Sequence, residues 1–84
     1  MLTKERLEEV LLRFPHGVES VEVVEGRKWV AILVSESFRD QDEAIRQRHV
    51  WAFLRSELED DDLPLIEFVF TNAPGEDTSE SAAA

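Results

Sequence analysis

FRDQDEAIRQRHVWAFLRSEL, residues 38–58, is the longest stretch of the chain with a helical period. Ala44, Gln47, Val50, Trp51, Leu54 and Leu58 fall on one face at about 100° per residue, which predicts an amphipathic helix packed by that stripe. Asp40, with Glu43 three residues on, forms a capping-box pattern at the start. The acidic run Glu59-Asp60-Asp61-Asp62 would oppose the C-terminal dipole, so the helix is expected to end near Leu58. The same stretch carries Arg39, Arg46, Arg48, His49 and Arg55. Arg48 and Arg55 flank the stripe. Arg46 and His49 are expected on the opposite side, near Phe53.

Before this helix, residues 2–14 read as another. Thr3 is a good N-cap, Leu2 and Leu7 fit a hydrophobic staple, and Leu7, Val10, Leu11 and Phe14 make one apolar stripe. Pro15-His16-Gly17 stops it. Residues 18–24 and 27–35 read as two strands, with Glu25-Gly26 as a two-residue hairpin in which glycine supplies the unusual backbone angle. The first strand alternates. The second is apolar on both sides, with Trp29, Ala31 and Leu33 pointing one way and Val30, Ile32 and Val34 the other. A strand of that kind is usually covered on both faces, and so short a chain has helices enough for one. The second face is therefore either a contact surface for a partner or a second copy, or a central strand shielded by large neighbours.

After the long helix, residues 65–72 read as a third strand, with Ile66, Phe68 and Phe70 on one strongly apolar face. From Ala73 onward the chain is small, polar and acidic, and residues 73–84 are expected to form a disordered tail behind a single domain over 1–72. The order helix, strand, strand, helix, strand predicts an α+β fold: a three-stranded mixed sheet with helices on one face, and the middle helical region divided into a short turn and a longer helix.

Composition narrows the functional classes. The formal charge of −10 over 84 residues argues against non-specific affinity for phosphate backbones. No apolar run reaches the length of a membrane span, and with no cysteine there is no disulfide or thiolate metal site. The N-terminus lacks an apolar signal core, and the expected location is the cytoplasm. The acidic run lacks the spacing of a calcium loop. Two histidines in different elements and no glycine-rich phosphate loop leave little for catalysis, so no enzyme activity and no cofactor are expected.

Read together, the segments resemble the BolA-like family, whose fold is close to the type II KH arrangement. Arg6-Leu7-Glu8-Glu9-Val10-Leu11 resembles the family's first helix and Val21-Glu22-Val23-Val24 its first strand. Leu33-Val34-Ser35-Glu36-Ser37-Phe38 resembles its second strand end, and Arg46-Gln47-Arg48 falls at the spacing of its R-H-R motif. Leu63-Pro64-Leu65-Ile66 falls where the family begins its last strand, and Asn72-Ala73-Pro74-Gly75-Glu76 echoes its ending. The resemblance implies iron–sulfur handling alongside monothiol glutaredoxins through histidine ligands, or DNA-binding regulation. The chain departs from the pattern where those functions sit. Gln47 and Pro64 occupy the two histidine positions, and neither is an iron ligand to match imidazole. Asp40 replaces the glycine after Phe38, and no G-x-x-G loop is present for KH-like clamping of a backbone.

The expectation is thus a non-catalytic adaptor or regulator acting through protein contact, with a protein partner or a homodimer. Its candidate surfaces are Val30, Ile32 and Val34, and the helix side with Arg46, Gln47, Arg48, His49 and Phe53. The alternatives are a metal-linked protein using His49 or His16, and nucleic-acid recognition through Arg46, Arg48 and Arg55. His49 lies two residues beyond Gln47, about 200° around the helix, so it points elsewhere. Both histidines brought together around an open, ion-sized gap, or a different succession of elements, would overturn this expectation.

Overall fold

Thr3 caps the first helix, its hydroxyl accepting the Arg6 N–H at 3.1 Å. In the computed structural model, which describes residues 2–76, helix α1 runs Lys4–Leu12. Leu2 and Leu7 on either side of the cap are both buried, as a staple requires. α1 ends two residues before Phe14, and Gly17 makes the turn at φ +87°, where a side chain would be strained.

Strand β1 (Ser20–Val24) pairs antiparallel with β2 (Trp29–Val34), from Ser20 opposite Val34 to Val24 opposite Val30. Their connection is not the expected tight hairpin at Glu25-Gly26. It spans residues 25–28, long enough to reverse the chain without a primed turn, and Gly26 stays out of the left-handed region.

After β2, Ser35 caps a 3₁₀ turn, Glu36–Phe38, that buries Phe38. Helix α2 then runs Glu43–Glu57. Its cap is Asp42, whose Oδ1 accepts the Ile45 N–H at 3.0 Å, and not Asp40. The 3₁₀ turn uses the residues through Phe38, and Gln41 N–H still bonds back to the Phe38 carbonyl, so the helix starts later than the sequence pattern suggests. The buried line on α2 is Arg46, Val50 and Leu54, continued by Leu58 at the C-cap. Gln47 and Trp51 are half-buried at its flank and Ala44 is exposed. The packed stripe is thus rotated towards Arg46, which was expected on the far side.

A second 3₁₀ turn, Leu63–Leu65, leads into β3 (Ile66–Asn72), which pairs parallel with β2. The sheet order is β1-β2-β3, and the mixed α+β architecture is the expected one. The parallel ladder slips between Trp29, opposite Ile66, and Val30, opposite Phe68. Glu67 is the extra residue, and this bulge breaks the expected single face of Ile66, Phe68 and Phe70. Ile66 turns into the core with Val69, while Phe68 and Phe70 face away from it.

The helices cover one face of the sheet. There Ala31, Leu33 and Val69 are fully buried beneath Leu7, Leu11, Val50 and Leu54. The chain does not leave this body at Asn72. Ala73 is 1% exposed, and residues 73–76 form a turn held by side-chain contacts described below, so the packed unit extends past the expected boundary. The rest of the expected tail, residues 77–84, lies outside the described residues.

Candidate functional site

Four sets of side chains could carry function, and the structure places each on a different surface. The first is built on Arg46. Its Nε donates to the Gln41 carbonyl at 2.8 Å and its Nη1 to the Thr71 carbonyl at 2.9 Å. Both Nη atoms then grip Glu76, at 2.8 and 2.9 Å, in a bidentate pair. Glu76 Oε1 also accepts the Ala73 N–H at 2.9 Å. The Arg46 guanidinium and this amide hold the Glu76 carboxyl down at about 2, and Glu76 in turn raises Arg46. Arg39, ion-paired with Glu36, donates to the Pro74 carbonyl at 2.6 Å. Two arginines therefore pin residues 73–76 against the start of α2. At 9% exposure Arg46 has no spare surface for a partner.

The second set is centred on Gln47, at the position where the resemblance expects a histidine. Its Nε2 donates to the Val69 carbonyl and to Glu43 Oε2, both at 2.8 Å, and its Oε1 accepts the Trp51 indole N–H at 3.0 Å. Thr71 Oγ1 donates to the same Glu43 carboxylate at 3.1 Å. The amide stitches α2 to β3, and every polar atom of its side chain is engaged. Pro64 lies exposed in the 3₁₀ turn before β3.

The third set is on the other flank of α2. The His16 and His49 rings lie 5.7 Å apart, tilted by 32°. Phe14 presents an edge contact to His16 at 5.2 Å and another to Phe53 at 5.6 Å. His49 and Phe53 are half-buried here, one turn apart on α2. Arg13 ties the end of α1 to Glu57 at 2.8 Å beside them. Among the described residues no group of three or more His, Cys, Asp and Glu side chains could hold a metal ion. Arg48 and Arg55 are exposed and, among the described residues, form no ion pair.

The fourth set is the uncovered face of the sheet. Cross-strand pairing puts Val24, Val30 and Phe68 in one row and Glu22, Ile32 and Phe70 in the next. Val24 is 46% and Phe68 37% exposed, while Val30, Ile32, Val34 and Phe70 are half-buried. Phe68 and Phe70 meet edge-to-face at 4.9 Å. The neighbours thus shield the central strand in part and extend its apolar surface. Sequence reasoning found Val30, Ile32 and Val34 but missed Phe68 and Phe70 as their neighbours, because the bulge at Glu67 is silent in the residue pattern. It missed the Arg46–Glu76 clamp as well. The four-residue spacing of Arg46, Val50, Leu54 and Leu58 was the available sign.

No helix among the described residues is long and apolar enough to cross a membrane. No family model matches the chain, and no curated protein sequence does. Two solved structures resemble it. One is a bolA protein homologue from Coxiella burnetii, 23% identical, with 88% of this chain and 94% of that one covered at a TM-score of 0.62. The other is a bol-like protein from Babesia bovis, 24% identical, with 100% of this chain and 96% of that one covered at a TM-score of 0.61. Helix, hairpin, helix and a parallel third strand in this order are thus the fold of the BolA-like proteins.

Proposed function

We propose that this chain is a divergent BolA-like binding module without catalytic activity, working by protein contact through the uncovered face of its sheet. The observation that carries the reading is the apolar surface of Val24, Val30, Ile32, Phe68 and Phe70, with Glu22 set among them. Contiguous apolar surface of this kind is a mark of association. Two copies meeting face to face would bring together like charges on bodies of formal charge −10. The occupant this favours is a different protein, with an apolar patch rimmed by Lys or Arg. The helix side is a weaker candidate, because Arg46 and Gln47 are taken up internally and only Arg48, His49 and Phe53 remain accessible there.

A photo-crosslinking residue placed at Ile32 in one preparation and at Arg48 in another tests this in native extract, with the captured protein then purified and its affinity measured. Crosslinks from Ile32 to a protein with a basic rim, and loss of its binding on Phe68→Ser, are the expected result. Capture from Arg48 alone, or crosslinks only between copies of this chain, would discard it. The nucleic-acid alternative has little left to rest on, since Arg46 is buried and neutralised by Glu76.

A further inference from the structure

We infer that the outer edge of β1 takes an added strand, an extended segment of a partner protein with Lys or Arg at every third position. The segment belongs to the partner proposed above for the uncovered face, and the inference rests on that reading.

A three-stranded sheet has two edges, and here the two differ. On β3 the Asn72 carbonyl accepts the Ser35 N–H at 2.8 Å, so it points towards the end of β2. Carbonyls alternate along a strand, so those of Val69 and Thr71 point outward. Side chains of α2 take both. Gln47 Nε2 donates to the Val69 carbonyl at 2.8 Å and Arg46 Nη1 to the Thr71 carbonyl at 2.9 Å. That edge is closed to a further strand.

The other edge is β1. Alternate residues of an edge strand aim their N–H and C=O groups away from the sheet, ready to pair with another chain. Among the described residues no side chain, and no backbone group outside the pairing with β2, bonds to the backbone of Ser20–Val24. The strand has neither the proline nor the bulge that would blunt it. Ser20, Glu22 and Val24 are exposed, so a neighbouring strand has access.

Charge selects the occupant. Glu19, Glu22 and Glu25 recur along this edge, all exposed, and among the described residues none forms an ion pair. In a second copy, antiparallel pairing centred on β1 would set Glu22 against Glu22, and like charges directly opposite are destabilising. The same carboxylates favour a basic segment. Residues directly opposite across a ladder share a face, so Lys or Arg at every third position meets each of the three acids in turn. The residues between are apolar or β-branched. One of them lies beside Val24 and lengthens the row Val24, Val30, Phe68.

The test is titration of the isotope-labelled chain with the capped peptide Lys-Val-Thr-Lys-Val-Thr-Lys, followed by NMR and amide hydrogen exchange. The expected result is saturable binding, with shifts concentrated on residues 19–25 and slower exchange of the outward amides of β1. Glu22→Lys should weaken it tenfold or more with unchanged circular dichroism, and a peptide with Glu for each Lys should not bind. N-methylation at alternate peptide residues keeps the charge and removes the donors of one peptide edge, so one of the two methylated versions should bind at least tenfold more weakly. Equal binding of the parent and both methylated peptides would overturn the inference and leave charge attraction only. Absence of binding would overturn it too, as would shifts confined to Val30, Phe68 and Phe70 with exchange in β1 unchanged. Neither of these last results removes the sheet-face reading, which stands or falls by crosslinking from Ile32.

Discussion

The two faces of β2 differ by one residue step and belong to different physical worlds. Ala31 and Leu33 are fully buried on the helix-covered face, while Val30, Ile32 and Val34 are only half-buried on the other. The residue types are nearly the same, so hydrophobicity alone does not say which face the helices choose. On the covered face the small Ala31 lies with Leu33 and Val69 in the buried core cluster. The uncovered face is raised by Phe68 and Phe70. One face is organised for stability. The other keeps apolar surface that the fold has not used.

The comparison would break if both faces contributed alike to stability. Leu33→Ala should cost about 3 kcal/mol in chemical denaturation, within the usual range for a fully buried leucine. Ile32→Ala should cost less, about 2 kcal/mol, because part of its surface is already in contact with water and the residue can be truncated without leaving a closed cavity. Equal losses for these neighbours would mean that something covers the outer face of the isolated chain.

Arg46→Ala sharpens the contrast between buried side chains that pack and those that pin. It should cost about 2 kcal/mol, below the 3–5 kcal/mol of a fully buried ion pair, because Glu76 is about a third exposed. Hydrogen exchange at Ala73 should rise together with the loss of stability. Phe68→Ser is expected to cost about 1 kcal/mol or less by thermal melting, mostly through the lost contact with Phe70. Its larger effect should be on partner binding, so a stability loss of several kcal/mol would contradict the assignment of that face.

The smallest effect is that of acid. The Glu76 carboxyl is held down at about 2 against an ordinary value of 4.5. Its contribution is therefore present above about pH 4.5 and fades as pH falls towards 2. Melting curves of wild type and Glu76→Gln should converge across that interval. A gap that widens as the solution is acidified would have the sign wrong.

Much of the fold was legible in the chain. The order of elements, the Thr3 cap, the end of α2 near Leu58 and the two-sided strand all follow from local pattern and composition. The misreadings share a cause. Arg46 is expected outside because a charge normally belongs in water, and the Thr71 carbonyl and Glu76 carboxylate that accept it come from a distant part of the chain. Ala73-Pro74-Gly75-Glu76 has the composition of a tail, yet the Glu76 carboxylate on the buried Arg46 guanidinium and the Pro74 carbonyl on Arg39 anchor it. The bulge at Glu67 is set by ladder geometry and leaves no trace in residue type. The candidate site was less legible than the fold. His16 and His49 are thirty-three positions apart, and only the packing of α1 beside α2 brings them together.

The parallel seam between β2 and β3 sets an order of assembly. The first two strands are sequence neighbours and need only a short loop to meet, whereas Trp29 waits for Ile66 and Val34 for Asn72. Contacts so far apart along the chain form slowly. On the ribosome the central strand therefore emerges with one open edge, and it keeps that edge until the last strand has cleared the exit tunnel. A nascent chain stalled at the acidic connector would expose backbone that the finished protein hides, and that interval is when it would need a chaperone.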